Sequence, residues 1–223
     1  MGYGSRSKRY PSDKTIAYFA RDENDQNDVS YLQCMRRYLG TTFKLFGKSV
    51  CFTNLKDKRR FKSQSWHKQC VSISTFKTHS ESGWLLPQVA VVEGTIGHVK
   101  NKRGESFGPA HWGEFHSCLV IVDSLRKCVY VFNPWKEGLL RSRNVRRVTD
   151  IRPYLVQTLV NSYDNYDIYH YSGIQTTTSD CRIHLLEFAK RLGILKGQYL
   201  KKINWKPLRN CGKRAPAGKC LLK

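Results

Sequence analysis

At 223 residues the chain has room for one sizeable core rather than two. Hydrophobic residues at 40% and charged residues at 25% exclude a disordered chain, and the lack of a run of about 18 apolar residues excludes a membrane-spanning helix. The net charge of +22, from 39 Lys and Arg against 17 Asp and Glu, excludes a neutral surface and points to a polyanionic partner, chiefly nucleic acid.

In chain order, residues 1–27 read as a loose leader, basic and then acidic. Residues 1–11 lack the apolar stretch of a signal peptide, so an intracellular protein is expected. Asp28–Leu39 predicts a helix with Asp28 as its N-cap. Residues 48–54 and 70–76 read as strands. Between them Lys56, Lys58, Arg59, Arg60 and Lys62 run up to Trp66, a mixture that suits either a nucleic-acid surface or a solvated loop. Residues 88–93 predict a buried strand, and the Gly-rich stretch 94–110 a loop. Residues 117–123 and 127–133 predict a hairpin. Residues 150–161 predict a helix capped by Asp150, with Pro153 in its first turn. Residues 167–171 form a short strand, and 180–192 the clearest helix, stopped at Gly193. Residues 196–223 read as a basic tail. The expected architecture is a single α+β domain, monomeric, with a small mixed and mostly antiparallel sheet packed against helices.

The eight cysteines contain no C-x-x-C pair, so a structural metal is not expected, and without a secretory signal most should be reduced. One of them is placed for chemistry. A thiol near its free pKa of about 8.5 is only a few per cent ionised at neutral pH. A histidine to take its proton, a group to orient that histidine, and oxyanion donors correct this. Cys181 stands in the first turn of the strongest expected helix, where the dipole favours thiolate. Gln175 lies in the polar, turn-forming stretch before it and could offer an amide to an oxyanion. His116 immediately precedes an apolar strand, and Asn133 ends the next. A hairpin makes them neighbours although 17 residues apart, and an Asn carbonyl can fix a histidine tautomer. His111 sits in the Gly-rich loop, where a base would be poorly held. Asp123 lies at the far end of its strand, about 20 Å from His116 at roughly 3.3 Å per residue. His184 reads as a packing or surface residue. Each feature also has a plain reading: a buried helix cysteine with a polar cap, a strand-end histidine, a turn-forming Asn-Pro.

Together their order and spacing resemble the adenovirus maturation proteases (adenain) and the related proteases that process SUMO. Residues 116–135 resemble the adenoviral segment, with an aromatic, the third triad member, proline and a second aromatic at Phe132-Asn133-Pro134-Trp135. Gln175 six positions before Cys181, with Asp180 immediately before it, is similar to the SUMO-protease motif. The likeness covers residues 115–192. The chain departs from the pattern at Ser117, where the family has Trp, at Arg182, where it has Gly, and at Asn133, where it usually has a carboxylate.

The resemblance implies a papain-like, adenain-like fold with its nucleophile at a helix N-terminus, and a Cys-His-Asn endopeptidase with Gln175 in the oxyanion hole. It implies viral precursor polypeptides as substrates, and a virion, host-nuclear or cytoplasmic assembly-site location. No cofactor is needed for the chemistry, although DNA and a viral peptide are implied as activators. Candidate DNA contacts are Lys56, Lys58, Arg59, Arg60, Lys62, Arg143, Arg146 and Arg147. Two other readings stay open: a SUMO or ubiquitin-like deconjugating protease, and a non-catalytic nucleic-acid-binding protein on the same fold.

Overall fold

The computed structural model describes residues 28–51, 71–95, 99–100, 106–107, 115–135, 152–175 and 181–209. Helix α1 (Asp28–Leu39) forms where the sequence predicts it. Tyr31, Cys34, Met35 and Leu39 recur every three or four residues, share one stripe, and are all buried. Short strands β1 (Lys44–Leu45), β2 (Val50–Cys51) and β3 (Val71–Ser72) follow.

The expected strand over 70–76 is cut short, because helix α2 (Ile73–Ser80) begins inside it. Ser72 is the cause. Its hydroxyl accepts from the Thr75 N–H at 3.1 Å, which caps the helix. Ile73, Phe76 and Ser80 then fall on the buried side at helical spacing. That periodicity outweighs the β-propensity of the same residues.

Strand β4 (Gln88–Thr95) runs two residues past its expected end, and β5 (Val99–Lys100) and β6 (Ser106–Phe107) pair inside the stretch expected as loop. Strands β7 (Phe115–Asp123) and β8 (Cys128–Trp135) form the expected hairpin. Asp123 closes its turn, accepting from the Arg126 N–H at 3.1 Å and pairing with the Arg126 guanidinium at 2.9 Å. Helix α3 (Arg152–Ser162) leads to β9 (Asp167–Gln175), longer than expected. Helix α4 (Cys181–Leu195), α5 (Gly197–Lys201) and β10 (Lys206–Arg209) complete the order.

Two expectations need correction here. Gly193 does not stop α4 but lies inside it. A Cβ there would overlap the Tyr38 carbonyl oxygen and come within 2.9 Å of the Tyr38 carbonyl carbon. The glycine is therefore a contact surface for the end of α1. Nor is the segment after 195 merely a tail. Trp205 is buried, donates from Nε1 to the Leu200 carbonyl at 3.2 Å, and meets the Tyr130 ring edge-on at 5.1 Å.

The sheet is eight-stranded rather than small, in the order β10-β9-β8-β7-β4-β2-β3, with β1 on β4. Its central ladder β4–β7–β8 is antiparallel, as is β10 on β9. Strands β8 and β9 are parallel, and α3 supplies the crossover such a pair needs. Helices cover both faces. Leu119, Ile121, Tyr130 and Phe132 pack with α1 and α4, whereas Cys118, Val120, Val129 and Val131 pack with α2 and α3. Among the described residues no helix is long and apolar enough to cross a membrane. Cys34, Cys51, Cys118 and Cys181 are in no disulfide, whereas Cys128 is disulfide-bonded.

Candidate active site

Strand register puts His116, Asn133 and Gln175, by backbone, at one end of the sheet. His116 is within β7, not before it, and pairs with Gly94. Asn133 is level with Ser172 in β9, and Gln175 ends β9 beside Trp135 rather than lying in a turn. The longer ladders explain both shifts: each adds backbone hydrogen bonds that a loop would leave to solvent. The β7–β8 pairing ends at Leu119 and Phe132, so Asn133 follows at the level of Cys118. Asn133 is buried and in step with Val129 and Val131, which puts it on the α2/α3 face. The side chains of His116 and Gln175 lie outside the described residues, as do His111, Asp150, and the DNA-contact candidates Lys56, Lys58, Arg59, Arg60, Lys62, Arg143, Arg146 and Arg147.

Cys181 is the first residue of α4 and only 6% exposed. Ser117, the residue after His116, acts on the Cys181 thiol through its backbone and its hydroxyl, and both favour thiolate. Burial pushes the thiol above its ordinary value, against Ser117 and the Arg182 charge. The expectation of a lowered pKa is thus corrected: loss of water outweighs the groups that favour thiolate.

Around this thiol lies a polar cluster that the sequence did not announce. Glu93 of β4 is fully buried, and its Oε1 accepts from the Ser117 hydroxyl at 3.0 Å, Arg182 Nε at 3.2 Å and Arg182 Nη2 at 3.0 Å. Tyr31 of α1 donates to the Arg182 carbonyl at 3.1 Å, and its ring lies under the guanidinium at 5.2 Å. Burial and the nearby Glu93 both hold the Tyr31 phenol far above its usual range. Arg182 turns its guanidinium onto Glu93 and neutralises it. The available signal was Glu93 itself, the one carboxylate inside the apolar strand QVAVVEGT. A buried charge demands a partner.

Removing one partner of such a pair strands the other. Arg182→Ala should cost about 3 kcal/mol, the low end for a buried pair because the Arg182 side chain is 30% exposed. Chemical denaturation measures it, and adding Glu93→Gln should restore part of the loss. An unchanged midpoint for Arg182→Ala would show that the pair carries no stability.

Fold and site together define an α+β domain whose most prominent thiol opens a helix against an antiparallel strand pair. No family model matches the chain, and no curated protein matches it. Among solved structures it is similar to "SUMO protease Ulp1 with the catalytic cysteine oxidized to a sulfinic acid", at 11% identity and a TM-score of 0.34, over 81% of this chain and 71% of that one.

Proposed function

We propose that this chain is a cysteine-type endopeptidase of adenain-like, papain-like design, in which Cys181 attacks the scissile carbonyl. The observation that carries the reading is the seat of Cys181, buried at the first position of α4. A buried thiol held in its neutral form needs a base, and His116 is the candidate at the start of β7. Asn133 orients it and Gln175 joins the Cys181 N–H around the oxyanion.

The finer reading is cleavage of viral precursor proteins during maturation, with DNA as partner and a viral peptide as a second activator. The +22 charge supports a polyanion, as does the exposed group Lys201, Lys202 and Lys206 beside β10. Deconjugation of SUMO or another ubiquitin-like protein is the second reading, favoured by the Gln175-x5-Cys181 spacing.

A peptide vinyl sulfone ending in Gly-Gly tests the common core. It should label Cys181 alone, and His116→Ala should abolish that labelling in the folded protein. Equal labelling of several cysteines, or full labelling of His116→Ala, sinks the peptidase reading. Cleavage of ubiquitin-like fusions against short Gly-Gly-X peptides then separates the two substrate classes.

A further inference from the structure

Glu93 departs from the pattern of its strand at one place. Val89 and Val91 give the α1/α4 face of β4 its apolar packing. Glu93, next on that face, puts a fully buried carboxylate where the first turn of α4 docks. Glu93 is the ladder partner of Ser117, one step from the Gly94–His116 pair. Its Oε1 accepts from the Ser117 hydroxyl at 3.0 Å, and from Arg182 Nε and Nη2 at 3.2 and 3.0 Å. Arg182 directly follows Cys181 in α4. Its main chain is held as well, since the Tyr31 hydroxyl donates to its carbonyl at 3.1 Å. The residue after the thiol is thus tied to the sheet by its side chain and to α1 by its backbone.

Stability alone is a poor account of this arrangement. A valine at 93 would pack without desolvating a carboxylate, and apolar replacements of buried ion pairs are often neutral or stabilising. What an apolar residue would not supply is a fixed geometry. The opening N–H groups of a helix have no intrahelical acceptor, so the first turn is where a helix frays. A thiol on an untied first turn moves with it, and a reacting atom misplaced by about 1 Å can lose roughly a hundredfold in rate.

We propose that Glu93 is a positioning residue: through Arg182 it fixes the first turn of α4, and with it Cys181, at one place over the β4–β7 ladder. Ser117, on the strand that carries His116, orients the carboxylate, and Tyr31 keeps the turn from rotating. Glu93 acts through Arg182 rather than on a substrate.

The inference rests on Cys181 as the working thiol, but its first readout is independent of cleavage. Hydrogen exchange of the full-length protein, followed by mass spectrometry, reports opening segment by segment. Glu93→Leu removes the charge-assisted bonds and should speed exchange over residues 181–186 by about tenfold. Residues 189–195 and the β7–β8 hairpin should keep the parent's rates. Glu93→Gln keeps an acceptor oxygen in place and should restore most of the protection. A purely structural role would instead lower protection across α4 and the sheet together. The second readout is turnover of a Gly-Gly-X peptide per folded protein. In Glu93→Leu kcat should fall about a hundredfold with KM within about twofold of the parent, and Glu93→Gln should recover to within roughly tenfold. Should Glu93→Leu not fold, Tyr31→Phe removes only the bond to the Arg182 carbonyl and must show the same localised loosening, at roughly threefold. Parent-like exchange over residues 181–186, a loss spread evenly over α4 and the sheet, or a loosened turn with undiminished kcat overturns the proposal. If the first turn alone loosens as stated while neither parent nor variant cleaves any peptide, the tie on α4 stands and the peptidase reading falls.

Discussion

Cys181→Ala should lower peptide cleavage by at least about ten-thousand-fold while leaving the domain folded. With no sulfur there is no covalent intermediate, and what survives comes only from substrate positioning and oxyanion donors. The loss is interpretable because the substitution is structurally mild. Cys181 is the first residue of α4, so its backbone geometry suits alanine, and one buried atom is removed. The stability cost should be about 1 kcal/mol, small beside the loss of turnover. Cleavage assays on a Gly-Gly-X peptide, run beside a thermal melt, check both halves. A variant that melts like the parent and still cleaves refutes the assigned nucleophile.

Gly193→Ala carries the second large effect, on stability. Two terms oppose each other. Alanine is the better helix former by about 1 kcal/mol, and Gly193 lies well inside α4. Against this, the new methyl would overlap the Tyr38 carbonyl oxygen, with the Leu39 carbonyl carbon 3.3 Å away. Those atoms are main chain at the end of α1, so no rotamer change clears the space. The two helices must separate, loosening Leu192 and Phe188 from the core they share with Met35 and Leu39. Overpacking against backbone should win by about 3 kcal/mol, a fall in melting temperature of roughly 6–12 °C for a domain of this size. A melting temperature equal to or above that of the parent would mean that α1 and α4 do not meet at this glycine. Any loss of activity here should follow the folded fraction, whereas that of Cys181→Ala should not.

Much of the framework was legible because it is periodic over short windows. Asp28–Leu39 shows its apolar stripe within twelve residues. The β7–β8 hairpin shows two apolar runs around a short turn. The sequence offers His116, Asn133, Gln175 and Cys181 as a set only by their spacing; the strand register puts His116, Asn133 and Gln175 at one end of the sheet by backbone. Ser72 shows the limit of local propensity. A run rich in β-branched residues became a helix once one hydroxyl capped it.

Sequence by itself determined the basic charge, the single prominent thiol at a helix start, and the alternation that forms the central strands. These depend on composition or on neighbours a few residues away. Only the tertiary structure decided that the thiol is buried, that Gly193 is a contact rather than a stop, and that Arg182 neutralises Glu93. That pair is separated by 89 residues, and it forms only because β4 aligns with β7 and α4 docks over both. No local window contains such a contact. The sign of the Cys181 shift follows the same logic: burial raises it, and burial is a collective property of the packed interior that no local window contains.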